Sequence, residues 1–178
     1  MQEDIESVFF TEEEIKAKVA QLGAQISEAY TDKEPVFIGV LKGSFVFMAD
    51  LMRTIDVYCD VDFMATSSYG AGTSTTGAVK ITKDLTHNIE NRHVIIVEDI
   101  LDSGMTLSYL TKYLKVRNPA SIKICTLLDK PSRRKTDITA DYVGFLCPDA
   151  FIVGYGLDYA ERYRNLPYIG VLKAEIYE

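Results

Sequence analysis

The chain is poor in the residue types that mark the commonest metal and redox sites. It holds two histidines and three cysteines among 178 residues, and no pair has the C-x-x-C spacing of a zinc or dithiol motif. His87 and His93 lie outside every motif, so neither is a candidate nucleophile or metal ligand. Cys59, Cys125 and Cys147 are odd in number and sit in apolar surroundings. They read as reduced core thiols of a cytoplasmic protein. No apolar run approaches ~18 residues, which excludes a membrane-spanning helix. The opening "MQEDIESVFF" has no basic region ahead of an apolar one and does not read as a signal peptide. Acids outnumber bases, 26 to 19, for a net charge of −7. With no clustered Lys/Arg face, this argues against a nucleic-acid partner. Repeats, low-complexity tracts and a Pro-rich linker are also missing, so residues 1–178 read as a single domain.

What is present is an alternation of helical and strand patterns. "TEEEIKAKVAQLGAQISEAY" carries Ile15, Val19, Leu22 and Ile26 at helical spacing, behind a Thr11–Glu14 capping box. "PVFIGVL" is a buried-strand run that ends in "KGS". The following "SFVFMADLMRTI" predicts a helix with Phe47, Leu51 and Ile55 on one side. "CDVDFMATSSY" and "GAVKITKDL" read as strands, an antiparallel pair flanking a soft loop. "HVIIVEDIL" is a strand, and "MTLSYLTKYLKVR" a helix stopped by Asn118-Pro119. "SIKICTLLDK" and "DYVGFLCPDAFIVGYG" carry further strands. Repeated strand–helix order predicts an α/β fold with a mainly parallel central sheet flanked by helices. Such folds bind ligands beyond the carboxyl ends of their strands. Three of those ends are unusual: "LKGS", "EDILDSGMT" and "LLDKPSRR".

The middle one is the most informative. Glu98 and Asp99 are adjacent carboxylates at a strand end. They repel each other unless a donor-rich neutral group, such as a sugar diol, or a cation such as Mg²⁺ lies against them. Asp102, Ser103, Gly104, Met105 and Thr106 then form a turn into a helix, whose first amides lack partners and suit a phosphate. Alone, Asp102 or Ser103 could equally be a helix cap. Together the features suit a ligand with a diol at one end and a phosphate at the other. The turn is neither a Walker loop nor a dinucleotide loop, because G-x-x-x-x-G-K-[ST] and G-x-G-x-x-G are both missing there.

"VIIVEDILDSGMTL" resembles the phosphoribosyl pyrophosphate (PRPP) signature of the type I phosphoribosyltransferases. With "LKGS", "SSYG", "LLDKPSRR" and "FIVGYGLDYAERYRNLPY" in this order, residues 36–168 resemble the bacterial hypoxanthine–guanine phosphoribosyltransferases. The resemblance implies Mg²⁺-dependent transfer of phosphoribose from PRPP to hypoxanthine or guanine, releasing pyrophosphate. It implies that fold, with a small hood made by the terminal segments and a flexible lid at about 67–77. It also implies a homodimer or homotetramer. In its terms Glu98 and Asp99 bind the ribose hydroxyls, and Asp102 to Thr106 hold the 5′-phosphate. Asp102 in addition takes the purine N7 proton. Lys42, Gly43 and Ser44, after a Leu41–Lys42 peptide that is often cis in the family, face pyrophosphate with Arg164. Ser68 and Tyr69 belong to the lid. Asp158 joins Glu98 and Asp99 as a metal ligand, in part through water.

Three base-site residues complete what the resemblance implies. Lys130, otherwise a solvated strand end, donates to the purine 6-oxo group. Phe151, otherwise core packing, stacks on the base. Ile152 binds it through backbone groups. Arg133 and Arg134 fall in a loop that varies within the family and receive no catalytic role. A regulator that kept this fold as a nucleotide sensor and binds RNA or DNA is the alternative, and the acidic charge opposes it.

Overall fold

The computed structural model describes residues 1–68, 79–147 and 149–177. The chain enters through β1 (Ile5–Phe10) and turns into α1 (Glu12–Ala29). The predicted capping box closes that turn. The Thr11 hydroxyl accepts from the Glu14 amide at 3.2 Å, and the Thr11 amide donates to the Glu14 carboxylate at 2.8 Å. Ile15, Val19, Leu22 and Ile26 form the buried stripe.

Next come β2 (Val36–Leu41) and α2 (Phe45–Met52). The helix stops short of Ile55, where the apolar pattern would carry it. The Thr54 amide and hydroxyl both donate to the Leu51 carbonyl, at 2.9 and 2.7 Å, and close the chain into a turn. Ile55 still packs against the core from outside the helix.

β3 (Asp60–Ser68) and β4 (Val79–Lys83) follow, then β5 (His93–Leu101), α3 (Met105–Lys115), β6 (Ser121–Asp129) and β7 (Tyr142–Leu146). The six strands run in the order β4-β3-β2-β5-β6-β7. All neighbours are parallel except β3 and β4, the antiparallel pair expected around the soft loop. Of that loop, residues 69–77, with Tyr69, lie outside the described residues, and so does the side chain of Ser68.

Period-two alternation sorts the sheet's residues to its faces. On β5, Ile95 and Val97 join the cluster formed with α1 and α2, while Val94 and Ile96 join the one formed with α3. Cys125 and Cys147 are buried in the first cluster and Cys59 packs against it, as core thiols should. Burial pushes the Cys125 thiol well up, so it is inert at neutral pH.

The return from β4 is anchored by one buried carboxylate. Burial alone would raise Asp62. The Phe63, Thr86 and His87 amides and the Thr86 hydroxyl outweigh it and hold Asp62 far below the usual carboxylate range.

A second, antiparallel sheet orders β1, β9 (Ile169–Leu172) and β8 (Ile152–Val153), so both ends of the chain meet there. The short α4 (Ala174–Tyr177) follows β9. Among the described residues no helix is long and apolar enough to cross a membrane.

Candidate active site

The three unusual strand ends converge on one edge of the main sheet. Neighbouring parallel strands β2 and β5 end in the 42–44 turn and the acidic turn, and β6, beside β5, ends at Lys130. Glu98 and Asp99 are both 8% exposed. Burial, then the charge of Asp99, pushes Glu98 well above the usual carboxylate range. Burial also raises Asp99, against the hydrogen bond from the Ile100 amide at 2.8 Å. Two buried acids side by side are costly, and the charge of Arg164 offsets only part of the burial of Asp99.

The following turn runs directly into α3. Gly104 has φ +77° at its start, a conformation that disfavours side chains. A Cβ there would also meet the Thr136 hydroxyl at 2.4 Å. The turn is held from outside by Arg134, 15% exposed. Its guanidinium donates to the carbonyls of Asp102 (2.9 Å), Leu101 (3.3 Å) and Ile138 (2.5 Å) and pairs with Asp129. The loop carrying Arg134 looks dispensable in sequence; its function is visible only once it folds back over residues 101–104.

The 42–44 turn opens with a cis Leu41–Lys42 peptide. Ser44 is fully buried, and its hydroxyl donates to the Val40 carbonyl at 2.7 Å. Its amide turns to the same carbonyl at 3.4 Å, so Lys42 and Gly43 carry the free edge of this turn. The Lys42 ammonium, on the exposed side, pairs with Glu161 at 3.0 Å.

Two cavities meet at Asp102. A small one of about 180 Å³ is lined by Glu98, Asp102, Gly104 and Thr106, with Val40 and Thr66 opposite. A larger one of about 550 Å³ is lined by Asp102, Lys130, Phe151 and Ile152, closed by Tyr177. Ile100 also lines both. Lys130 is 8% exposed and donates to the Ala150 carbonyl at 2.9 Å. The Phe151 ring stacks on Tyr177 with centroids 4.5 Å apart, and Tyr159 meets it edge-on. Tyr177 is a wall residue that sequence patterns do not reveal, because it comes from the last helix.

Asp158 and Arg164 sit together. The Arg164 guanidinium pairs with Asp158 at 2.8 Å and donates to the Gly156 carbonyl at 2.7 Å. Its Nε is buried and meets no acceptor among the described residues. Asp158 also accepts from the Glu161 amide at 2.9 Å. The described residues contain no group of three side chains gathered to hold a metal ion by themselves. Glu98 and Asp99 offer only hard oxygen donors, a set that suits Mg²⁺ when a substrate completes its shell.

Residues 9–160 match the Phosphoribosyl transferase domain family. The chain is 61% identical over 178 residues to the hypoxanthine-guanine phosphoribosyltransferase of Bacillus subtilis (strain 168), covering 99% of that protein. It is 54% identical over 177 residues to that of Streptococcus mutans, covering 98% of it. A crystal structure of a hypoxanthine phosphoribosyltransferase from Staphylococcus aureus superposes with a TM-score of 0.96 at 53% identity, over 100% of this chain and 97% of that one. With the PRPP-type turn, the buried acid pair and the α/β sheet all in place, the chain belongs to the phosphoribosyl transferase domain family.

Proposed function

We infer that this chain is a purine-salvage enzyme that transfers phosphoribose from PRPP to hypoxanthine or guanine and releases pyrophosphate. The observation that carries the reading is the junction at Asp102, the carboxylate shared by the small cavity at the start of α3 and the larger one that Lys130 and Phe151 line.

The chemistry follows from that junction. Thr106 and the first amides of α3 bind the 5′-phosphate without a basic residue, with Ser103 adding a hydroxyl. Glu98 and Asp99 accept from the ribose hydroxyls. Purine N9 attacks C1′ of the sugar, the C1′–oxygen bond to pyrophosphate breaks, and the N7 proton passes to Asp102. A carboxylate so placed is worth ~10²–10⁴-fold in rate. The Arg164 guanidinium, paired with Asp158, and the edge of the Lys42–Gly43 turn are assigned to the departing pyrophosphate. Lys130 donates to the 6-oxo group, Phe151 stacks on the ring, and the Ile152 backbone completes the base site. Glu98 and Asp99, with Asp158, would hold Mg²⁺ together with PRPP, and the ion would offset the negative charge of the leaving group.

We further propose one catalytic domain, in which the small sheet serves as a hood and Ser68 and Tyr69 belong to a lid that excludes water from the reacting sugar. The reduced core thiols support a cytoplasmic setting. Exposed Phe45, Tyr58 and Val61 support self-association as a dimer or tetramer.

A purified-protein assay with PRPP, Mg²⁺ and each of hypoxanthine, guanine, xanthine and adenine tests the reading. Nucleotide and pyrophosphate are expected from hypoxanthine and guanine. Failure to form either nucleotide would sink it.

A further inference from the structure

Lys130 is held by more than its own strand. Its ammonium has three N–H donors. One reaches the Ala150 carbonyl at 2.9 Å, and the ammonium also forms an ion pair with the Asp149 carboxylate at 3.1 Å. The Lys130 side chain is 10% exposed and lines the larger of the two cavities that meet at Asp102. The carbonyl and the carboxylate together restrict where the ammonium sits. Asp149 is itself fixed. The same oxygen, Oδ1, accepts from Arg133 Nε at 2.8 Å. One carboxylate oxygen is therefore gripped from both sides, and all three residues line the same cavity.

We propose that Asp149 is a specificity-determining positioning residue, which aims the remaining N–H of Lys130 at the purine 6-position. This rests on the assignment of Lys130 as the 6-oxo donor. A pinned donor accepts a 6-oxo group and opposes a 6-amino group, which presents its own N–H. A loose ammonium swings aside and tolerates both. Discrimination in such a site comes from the polar group that cannot turn away. Arg133 acts one step further out, by holding Asp149.

The test is steady-state kinetics on Asp149→Ala, Asp149→Asn and Arg133→Gln, with hypoxanthine and with adenine as substrate and competitor. Asp149 is half exposed, so folding is expected to survive, and thermal unfolding of each variant checks it. Asp149→Ala is expected to raise KM for hypoxanthine about tenfold and to narrow the hypoxanthine-to-adenine preference about tenfold, through the loss of the ion pair that steadies the donor. KM for PRPP stays at the parental value. Asp149→Asn keeps an acceptor and recovers part of the loss, and Arg133→Gln shows a smaller change in the same direction. A folded Asp149→Ala enzyme with parental base KM and preference overturns the proposal. So does a variant whose PRPP and base KM values rise together, which marks a general structural role. If the parental protein uses neither hypoxanthine nor guanine, the functional reading itself fails, and that outcome is separate.

Discussion

Asp99 lies so close to Gly43 that a Cβ on the glycine would meet its carboxylate oxygen at 1.8 Å. The two turns of the site are in contact through these residues, with no room for a side chain between them. Gly43→Ala must therefore displace the Asp99 carboxylate, whose other oxygen accepts from the Ile100 amide. Overpacking of this kind costs ~1–3 kcal/mol. If Asp99 serves the ribose, kcat/KM for PRPP falls about tenfold or more while the fold survives. Kinetics beside circular dichroism checks it. Parental kinetics in the folded variant would show that this contact is idle.

Glu98 predicts a trade of stability against function. Its carboxyl is raised well above the ordinary value by burial and by Asp99, so the folded state favours the neutral form. Ionisation at neutral pH then costs stability. Glu98→Gln is expected to gain ~0.5–2 kcal/mol at pH 7, read as a rise of a few degrees in Tm, and to weaken PRPP binding. The sign fixes the pH window. Below the ordinary glutamate value both forms of the chain are protonated, and the gain disappears. It grows as pH rises from that value through the raised one. A fall in Tm at pH 7 would mean that the pair is already compensated.

Asp102→Asn separates proton transfer from binding. The amide keeps the shape of the turn and loses the base. Turnover is expected to drop ~10²–10⁴-fold with little change in PRPP affinity, measured by single-turnover kinetics and by titration with PRPP and Mg²⁺. Equal losses in both would make Asp102 a binding group or a cap.

Arg134→Lys tests the brace behind the turn. Lysine cannot reproduce a planar fork that reaches three carbonyls and a carboxylate. A displacement of the Asp102 backbone of about 1 Å is worth up to ~10²-fold in kcat, and the variant is expected to lose activity on that order. Unchanged kcat would show that the turn holds its own geometry.

Much of this was readable in advance, and the reasons differ by residue. The Thr11–Glu14 box and the acidic turn are local patterns, set by neighbours a few positions apart. The partnership of β1 with β9 is not, since it joins Ile5 to Leu172 through backbone bonds that no local periodicity encodes. The same holds for Arg134, two of whose acceptors, the Leu101 and Asp102 carbonyls, lie some thirty residues earlier in the chain. Tyr177 reaches Phe151 because β8 pairs with β9, which brings the last helix beside the residue just ahead of β8. Side chains whose partners are distant in sequence look like solvated loop residues until the topology brings the partners to them.

The parallel pairing of β2 with β5 has a geometric consequence. Their turns leave adjacent strands, and hydrogen-bonded strands stand ~4.8 Å apart. The separation of the two turns is thus measured by the backbone ladder and not by any side chain. On the proposed assignment of the two turns to pyrophosphate and 5′-phosphate, the sheet acts as a ruler for the sugar between its anionic ends. Side-chain substitution can blunt the grip at either end, but a ligand with a longer spacer stays out of register with one of them.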